Sequence, residues 1–409
     1  MTYLRRHLDE QLDRFMSVHP ALLLAGIRGA GKTTTASRSA RSMVRLDDPR
    51  QAAAVRGDPE AILAGAETPL LIDEWQRVPE VWDVVRVMVD DDRSPGRFIL
   101  SGSERTAVDA PIHTGAGRFL QVRLRPMTLS ERRGVVPAIS LRDLAEQGID
   151  AMRGSESPYT PAEQLDTVVI SGLPGYQHLA EADHQETLRN YIDLSAARDL
   201  AEIDARARSP QRVRRYLRAY GAVIGTTADQ SGIQQAAGVA RATADSYHDL
   251  LARLGIIEEL PGWSSNRLKQ LTRRPKRHFV DPALAAADHY DTTESLRFDP
   301  ERMGSLFEST VVCQIRAVSD ALGLGWRFSH LRTAKGLHEV DMIADIPDGS
   351  VVAVEARAAA TVDRSDARHL IWLREQLRDR FRAGLVIHPG RYAYRLDDRI
   401  AVAPLGVLV

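Results

Sequence analysis

One cysteine, Cys313, in 409 residues excludes an internal disulfide and any zinc site built from cysteines. Its neighbours in STVVCQI are mostly apolar, so a buried thiol is expected there rather than a nucleophile. Lysine is nearly absent as well. Lys32, Lys269, Lys276 and Lys335 are the only four, and arginine supplies the other 50 of the 54 basic residues. A lysine that persists in such a chain is informative. The net charge of −1 provides no global field for nucleic acid or an acidic membrane, so such a partner would need a local patch. No apolar run approaches the roughly 20 residues of a membrane-spanning helix. The opening MTYLRRHLDEQLDRF is charged and amphipathic, without the apolar stretch of a signal peptide, and a cytoplasmic location is expected. A chain of 409 residues divides into two to four domains.

What is present begins at ALLLAGIRGAGKTTTA, residues 21–36. A buried strand, a glycine turn and a helix follow one another, and Gly26 to Thr33 fit the G-x-x-x-x-G-K-[ST] pattern. Glycines there let backbone N–H groups close around phosphates, and the helix N-terminus favours negative charge. ATP is the expected cofactor, with Mg²⁺. Gly26, Arg28, Gly29, Ala30, Gly31, Lys32, Thr33 and Thr34 would line the nucleotide. Lys32 would reach the β- and γ-phosphates, and Thr33 would ligate Mg²⁺.

A second strand, PLLIDEW, ends in Asp73 and Glu74. Asp73 would hold the metal through its water shell, and Glu74 would orient and polarise the attacking water. A third, RFILSGS, ends in Ser101 and Ser103. These are hydroxyls that could sense the γ-phosphate or merely form a turn. Strand–helix alternation through this region predicts an α/β fold with a parallel, doubly wound sheet and the ligand at the strand C-termini.

GIRGAGKT, LIDEWQRVPE, RFILSGS, GAGRF and RLRPMTLSE, in that order, with ISGLPGYQ and AARDL further on, resemble the AAA-like P-loop ATPases of bacteria and archaea. Members of that family carry a C-terminal domain related to restriction endonucleases. The resemblance implies ATP binding and hydrolysis. It also implies that Arg118, in GAGRF, could contact a γ-phosphate, in cis or across a subunit interface.

Four domains are expected: the AAA-like ATPase at 1–140, a helical lid at 141–205, a winged helix at 206–290 and a PD-(D/E)XK nuclease-like domain at 291–409. In the third, IQQAAGV and ARATADSYHDLLARLGII form a helix-turn-helix pattern. The segment after it carries Arg267, Lys269, Arg273, Arg274, Lys276 and Arg277 with no acid among them. That patch could neutralise DNA phosphates, or bind protein. In the fourth, a helix with Glu308 precedes three strands, WRFSHLR, HEVDMIADI and VVAVEARA. Asp341 and Glu355 would hold a metal there, with help from Glu308. Arg357 stands where the nuclease pattern has lysine, and a guanidinium cannot act as a base. Two further readings stay open beside an ATP-driven switch: an ATP-regulated nuclease, and a non-hydrolysing scaffold for DNA or protein.

Overall fold

A computed structural model describes residues 3–102, 115–152, 154–199, 209–264, 273–333 and 336–409. Ser103, Arg267 and Lys269 lie outside the described residues. Five short strands form the N-terminal sheet: β1 (Ala21–Ala25), β2 (Ser42–Arg45), β3 (Leu70–Asp73), β4 (Phe98–Ser101) and β5 (Phe119–Arg123). They are all parallel, in the order β2-β3-β4-β1-β5. The doubly wound sheet expected from the strand–helix alternation is present. β1, β3 and β4 are buried along their whole length, which explains why their sequences run apolar without alternating. Because β4 lies between β1 and β3, Ser101 stands directly opposite Asp73.

The region expected to be a lid divides in two. Its first half packs on the C-terminal sheet: the Gln164 amide donates to the carbonyls of Pro389 (2.8 Å) and Gly390 (2.9 Å) and accepts from the Gly406 N–H (3.0 Å). The second half, the helix Glu181–Leu194, reaches the nucleotide loop, where the Tyr191 hydroxyl donates to the Arg28 carbonyl at 3.2 Å.

Next come helices Pro210–Ala222, Gln230–Ala237 and Arg241–Arg253. The turn between the last two passes through Gly238, in left-handed backbone at φ 64°, a conformation that glycine adopts without a Cβ penalty. An antiparallel pair follows, β6 (Ile257–Leu260) and β7 (Lys276–Phe279).

The C-terminal module sets the helix Pro300–Ala321 against six strands: β8 (Arg327–Arg332), β9 (Glu339–Asp345), β10 (Val351–Ala356), β11 (Phe381–His388), β12 (Tyr394–Asp397) and β13 (Ile400–Pro404). Their order is β12-β13-β11-β10-β9-β8. β8, β9 and β10 are antiparallel neighbours, and β10 continues parallel to β11. Apolar residues cover both faces. Val352, Val354 and Ala356 join the core with the long helix, while Val351 and Ala353 pack with Leu370 and Leu373 of the helix Arg368–Leu377. Glu355 therefore points into a covered face, and is 2% exposed.

Candidate functional site

The nucleotide loop follows β1 directly. At Gly26 a Cβ would lie 2.1 Å from the Leu124 carbonyl oxygen, so only glycine lets the loop leave the sheet beside β5. Gly31 sits at φ 93°, just before the helix Lys32–Ala36, where a left-handed residue costs least as glycine. The buried Lys32 ammonium lies inside the loop and donates to the carbonyls of Gly26 (2.9 Å) and Ile27 (3.1 Å). Arg28 and Thr34 are exposed on the rim, and Ala30 is buried.

The side chains of Thr33, Asp73 and Ser101 come together. The Thr33 hydroxyl donates to Asp73, with carboxylate oxygens at 2.9 and 3.0 Å. The buried Ser101 hydroxyl donates to Asp73 Oδ1. Asp73 is 4% exposed, and two hydroxyls fix its orientation. Thr33 and Asp73 therefore fit the expected Mg²⁺: one hydroxyl ligand beside an oriented carboxylate. Glu74 follows at φ 54°, an unfavourable conformation for a residue with a side chain. It takes the carboxylate out of line with β3, and such strain tends to collect at functional positions. Its Oε2 accepts from the Gln76 amide.

Arg118 is elsewhere. It pairs with Asp90 at 2.8 Å, and its neighbour Phe119 is in register with Ala21 at the N-terminal end of β1. β1 runs five residues before the loop begins, about 17 Å at strand rise. Of the two contacts left open for Arg118, in cis or across a subunit interface, its place at the N-terminal end of β1 leaves the first unmade in this structure.

Two further groups pack on the loop, Arg6 and the turn within ISGLPGYQ, and neither had a role assigned from the sequence. Arg6, 5% exposed, donates to the Ala30 carbonyl (2.8 Å) and the Arg125 carbonyl (2.6 Å) and pairs with Glu131 (3.2 Å). Leu173 and Pro174 cover Gly29 and Gly31: a Cβ at Gly31 would lie 3.3 Å from Pro174 Cγ. Just upstream, the Ser171 hydroxyl (2.6 Å) and the Gly172 N–H (3.0 Å) both donate to Asp281 Oδ2. Asp281 also caps the helix Pro282–His289 through the Ala283 N–H. Burial raises its pKa. A continuous chain of contacts thus leads from the phosphate loop to the middle module.

A second junction is ionic. Arg125, just past β5, pairs with Glu258 of β6 (3.1 Å) and Asp320 of the long helix (2.6 Å), and Arg316 joins Glu258 at 3.1 Å. Burial pushes the Glu258 carboxyl up, but Arg125 and Arg316 outweigh it and hold it at about 2.

Of the described cations in the basic segment after β6, Lys276 and Arg277 do not face solvent. Lys276 is 1% exposed and Arg277 6%, so the expectation that both contact DNA is corrected. Arg277 pairs with Glu259 beneath Tyr220. Arg273 donates to the Arg332 carbonyl at 2.7 Å, and the exposed Arg274 lies 3.5 Å from Asp229. Lys276 instead enters the carboxylate set of the C-terminal module. Its ammonium is 2.7 Å from Glu308, 3.0 Å from Asp341 and 3.1 Å from Glu339. Arg357 pairs with Glu355 at 2.9 Å and approaches Asp341 at 3.9 Å. Burial and the Asp341 charge push Glu308 up to about 8, with Lys276 opposing. Burial, then Asp341, raises Glu355 as well. Glu308, Asp341 and Glu355 do share one region, but its centre is an ammonium. Among the described residues no three acids, histidines or cysteines are placed to hold a metal ion. The expected metal does not fit here.

Family models match three stretches of the chain. Residues 18–132 match a family described as an AAA domain. Residues 163–293 and 303–408 match two domains of unknown function, DUF8612 and DUF4143. An uncharacterized protein of Mycobacterium tuberculosis, Rv2008c, is 26% identical over 98% of this chain and 83% of its own length, and its Mycobacterium bovis counterpart matches equally. Among solved structures, a Walker-type ATPase of Pyrococcus abyssi aligns at TM-score 0.42 and 13% identity, over 70% of this chain and 96% of that one. A RuvB mutant of Thermotoga maritima aligns at TM-score 0.28 and 19% identity, over 62% of this chain and 87% of that one. The loop geometry and the AAA-domain match together support a P-loop, AAA-like ATPase in the N-terminal region.

Proposed function

We propose that the chain is a Mg²⁺-dependent ATPase whose nucleotide state is passed to the middle and C-terminal modules. The observation that carries it is the Thr33 hydroxyl on Asp73, next to Lys32 in its glycine loop and Glu74 just beyond. Lys32 would turn from its own loop carbonyls to the nucleotide phosphates, a short movement of a flexible stem. Mg²⁺, when bound, would neutralise phosphate charge; Thr33 would ligate it and Asp73 would hold its water shell. Glu74 would orient a water and accept its proton. Arg118 could serve in a neighbouring subunit.

ATP binding and turnover by the full chain test this reading. Lys32→Ala is expected to weaken ATP binding at least about 100-fold, the loss of a charge-assisted phosphate contact. Calorimetry that finds wild-type affinity in this variant would sink the site.

Transmission rests on the turn that covers the loop. A nucleotide filling the loop must press on Leu173 and Pro174, and the two donors to Asp281 carry the movement onward. Asp281→Asn leaves one acceptor oxygen, so either the Ser171–Gly172 pair or the capping Ala283 N–H meets an amide instead, at a cost of about 1–3 kcal/mol in local stability. The expected result is near-wild-type ATP affinity with ATP-dependent protection of the helix Pro282–His289 lost, read by hydrogen exchange. Protection that persists in Asp281→Asn would refute the route.

A further inference from the structure

The carboxylates of the C-terminal module already have a cation at their centre, and it comes from another module. Glu308 lies on the helix Pro300–Ala321 and Glu339 and Asp341 on β9, whereas Lys276 opens β7. Its ammonium donates to Glu308 at 2.7 Å and Asp341 at 3.0 Å and forms an ion pair with Glu339 at 3.1 Å, so it is held from three sides. Asp341 is itself held, its Oδ2 accepting from the Ala356 N–H at 2.9 Å. Glu355, the fourth acid, takes Arg357 on Oε2 (2.9 Å), while its Oε1 is buried with no hydrogen-bond partner among the described residues.

The strand that delivers Lys276 is firmly seated. Its hairpin adds to the edge of the six-stranded sheet: the His330 N–H donates to the Pro261 carbonyl (2.9 Å), and the Trp263 N–H to the His330 carbonyl (2.6 Å). The Trp263 indole donates to Asp345 at 3.2 Å, and His330 Nε2 meets the Arg274 carbonyl at 3.0 Å. A compact point charge fits the centre of three converging carboxylates, and a planar guanidinium does not. That accounts for one of the four lysines in a chain whose other 50 basic residues are arginine.

We propose that Lys276 is a tethered counter-ion: it fills the carboxylate pocket of the C-terminal module, excludes divalent metal from it, and pegs the β6–β7 hairpin to the β8–β10 sheet. The distances fit an ammonium better than a metal. Calcium–oxygen bonds are about 2.3–2.6 Å and magnesium–oxygen bonds about 2.0–2.1 Å, so the carboxylates would have to close by about half an ångström around Ca²⁺ and by more around Mg²⁺. In this conformation the module is closed to metal-dependent hydrolysis, whatever its ancestry. Removing the ammonium charge removes the exclusion and leaves a set of oxygen ligands suited to a hard cation.

The test is Ca²⁺ titration by calorimetry on the full chain, freed of metal and nucleotide, with melting followed in parallel. Wild type should show no calcium site in the C-terminal module, and a melting temperature that Ca²⁺ does not move. Lys276→Gln should melt lower in chelator, gain one calcium site at least about tenfold tighter than any in wild type, and recover melting temperature on Ca²⁺ addition. Lys276→Gln/Asp341→Asn should lose the gained site, which separates it from the P-loop. Two results overturn the proposal: a folded Lys276→Gln with no gained site, or a wild-type calcium or manganese site that Asp341→Asn abolishes. The wild-type arm holds even if the glutamine variant fails to fold.

Discussion

Glu74→Gln is expected to bind ATP as wild type does and to turn it over at least about 100-fold more slowly, within the range that general-base catalysis contributes. The amide keeps the shape of the carboxylate and can still meet Gln76, its present partner. It cannot accept a proton from the attacking water. The backbone at Glu74, φ 54°, is no less tolerable for glutamine, so the aim of the side chain is kept and only its basicity is lost. Asp73→Asn should behave differently. Asp73 receives two hydroxyls, from Thr33 and Ser101; an amide at that position can still meet both but lacks the negative charge that would hold the metal's water shell. Mg²⁺ demand should then rise along with the fall in rate. Measuring kcat and the Mg²⁺ dependence of both variants separates the two roles. If Glu74→Gln turns over ATP within threefold of wild type, Glu74 is not the base.

The nucleotide site was legible because its chemistry is local. The loop, its lysine and its threonine occupy eight consecutive residues, and Asp73 and Glu74 end a strand whose apolar run is unmistakable. Only the hydroxyl contact of Ser101 needed the sheet order, since β4 has to lie between β1 and β3 before Ser101 can reach Asp73. The carboxylate set of the C-terminal module was half legible. Alternation in VVAVEARA set Glu355 and Arg357 on one face, and Asp341 on β9 was expected beside them. What the pattern could not carry was the occupant. Lys276 reaches Asp341 across 65 residues of chain, through a hairpin whose docking on the β8 edge depends on backbone hydrogen bonds that any sequence can make. A run of cations without acids predicts an exposed patch only if the partners are absent from the fold. Here Glu259, Glu308, Glu339 and Asp341 arrive from elsewhere. The helices of 141–169 show the same limit: amphipathicity marks a face to be buried but does not say which module buries it. Arg6 was invisible for a simpler reason, being one arginine among 50.

Arg125→Met is expected to cost about 3–5 kcal/mol of stability, the usual penalty for removing one partner of a buried ion pair. The substitution strands Glu258, which is buried between the ATPase region and the long helix, with Arg316 at 3.1 Å as its remaining cation. Asp320, one-third exposed, can turn to water and adds little. The pH dependence follows from the direction of the Glu258 shift. Its folded pKa, about 2, is below the ordinary 4.5, so the unfolded chain takes up the proton first. The stability it contributes is complete above about pH 4.5 and is lost as pH falls through 2, with a span of about 3 kcal/mol. Arg125→Met raises the folded pKa, so acid should destabilise the variant less steeply over that window than it does wild type. Arg125→Met/Glu258→Leu should regain part of the loss, because an apolar pair removes the desolvated charge altogether. Urea midpoints at pH 7 and pH 3 for wild type, single and double variants decide the matter. If the double variant is no more stable than the single one, the junction is held by packing, and the charges add nothing to the coupling between modules.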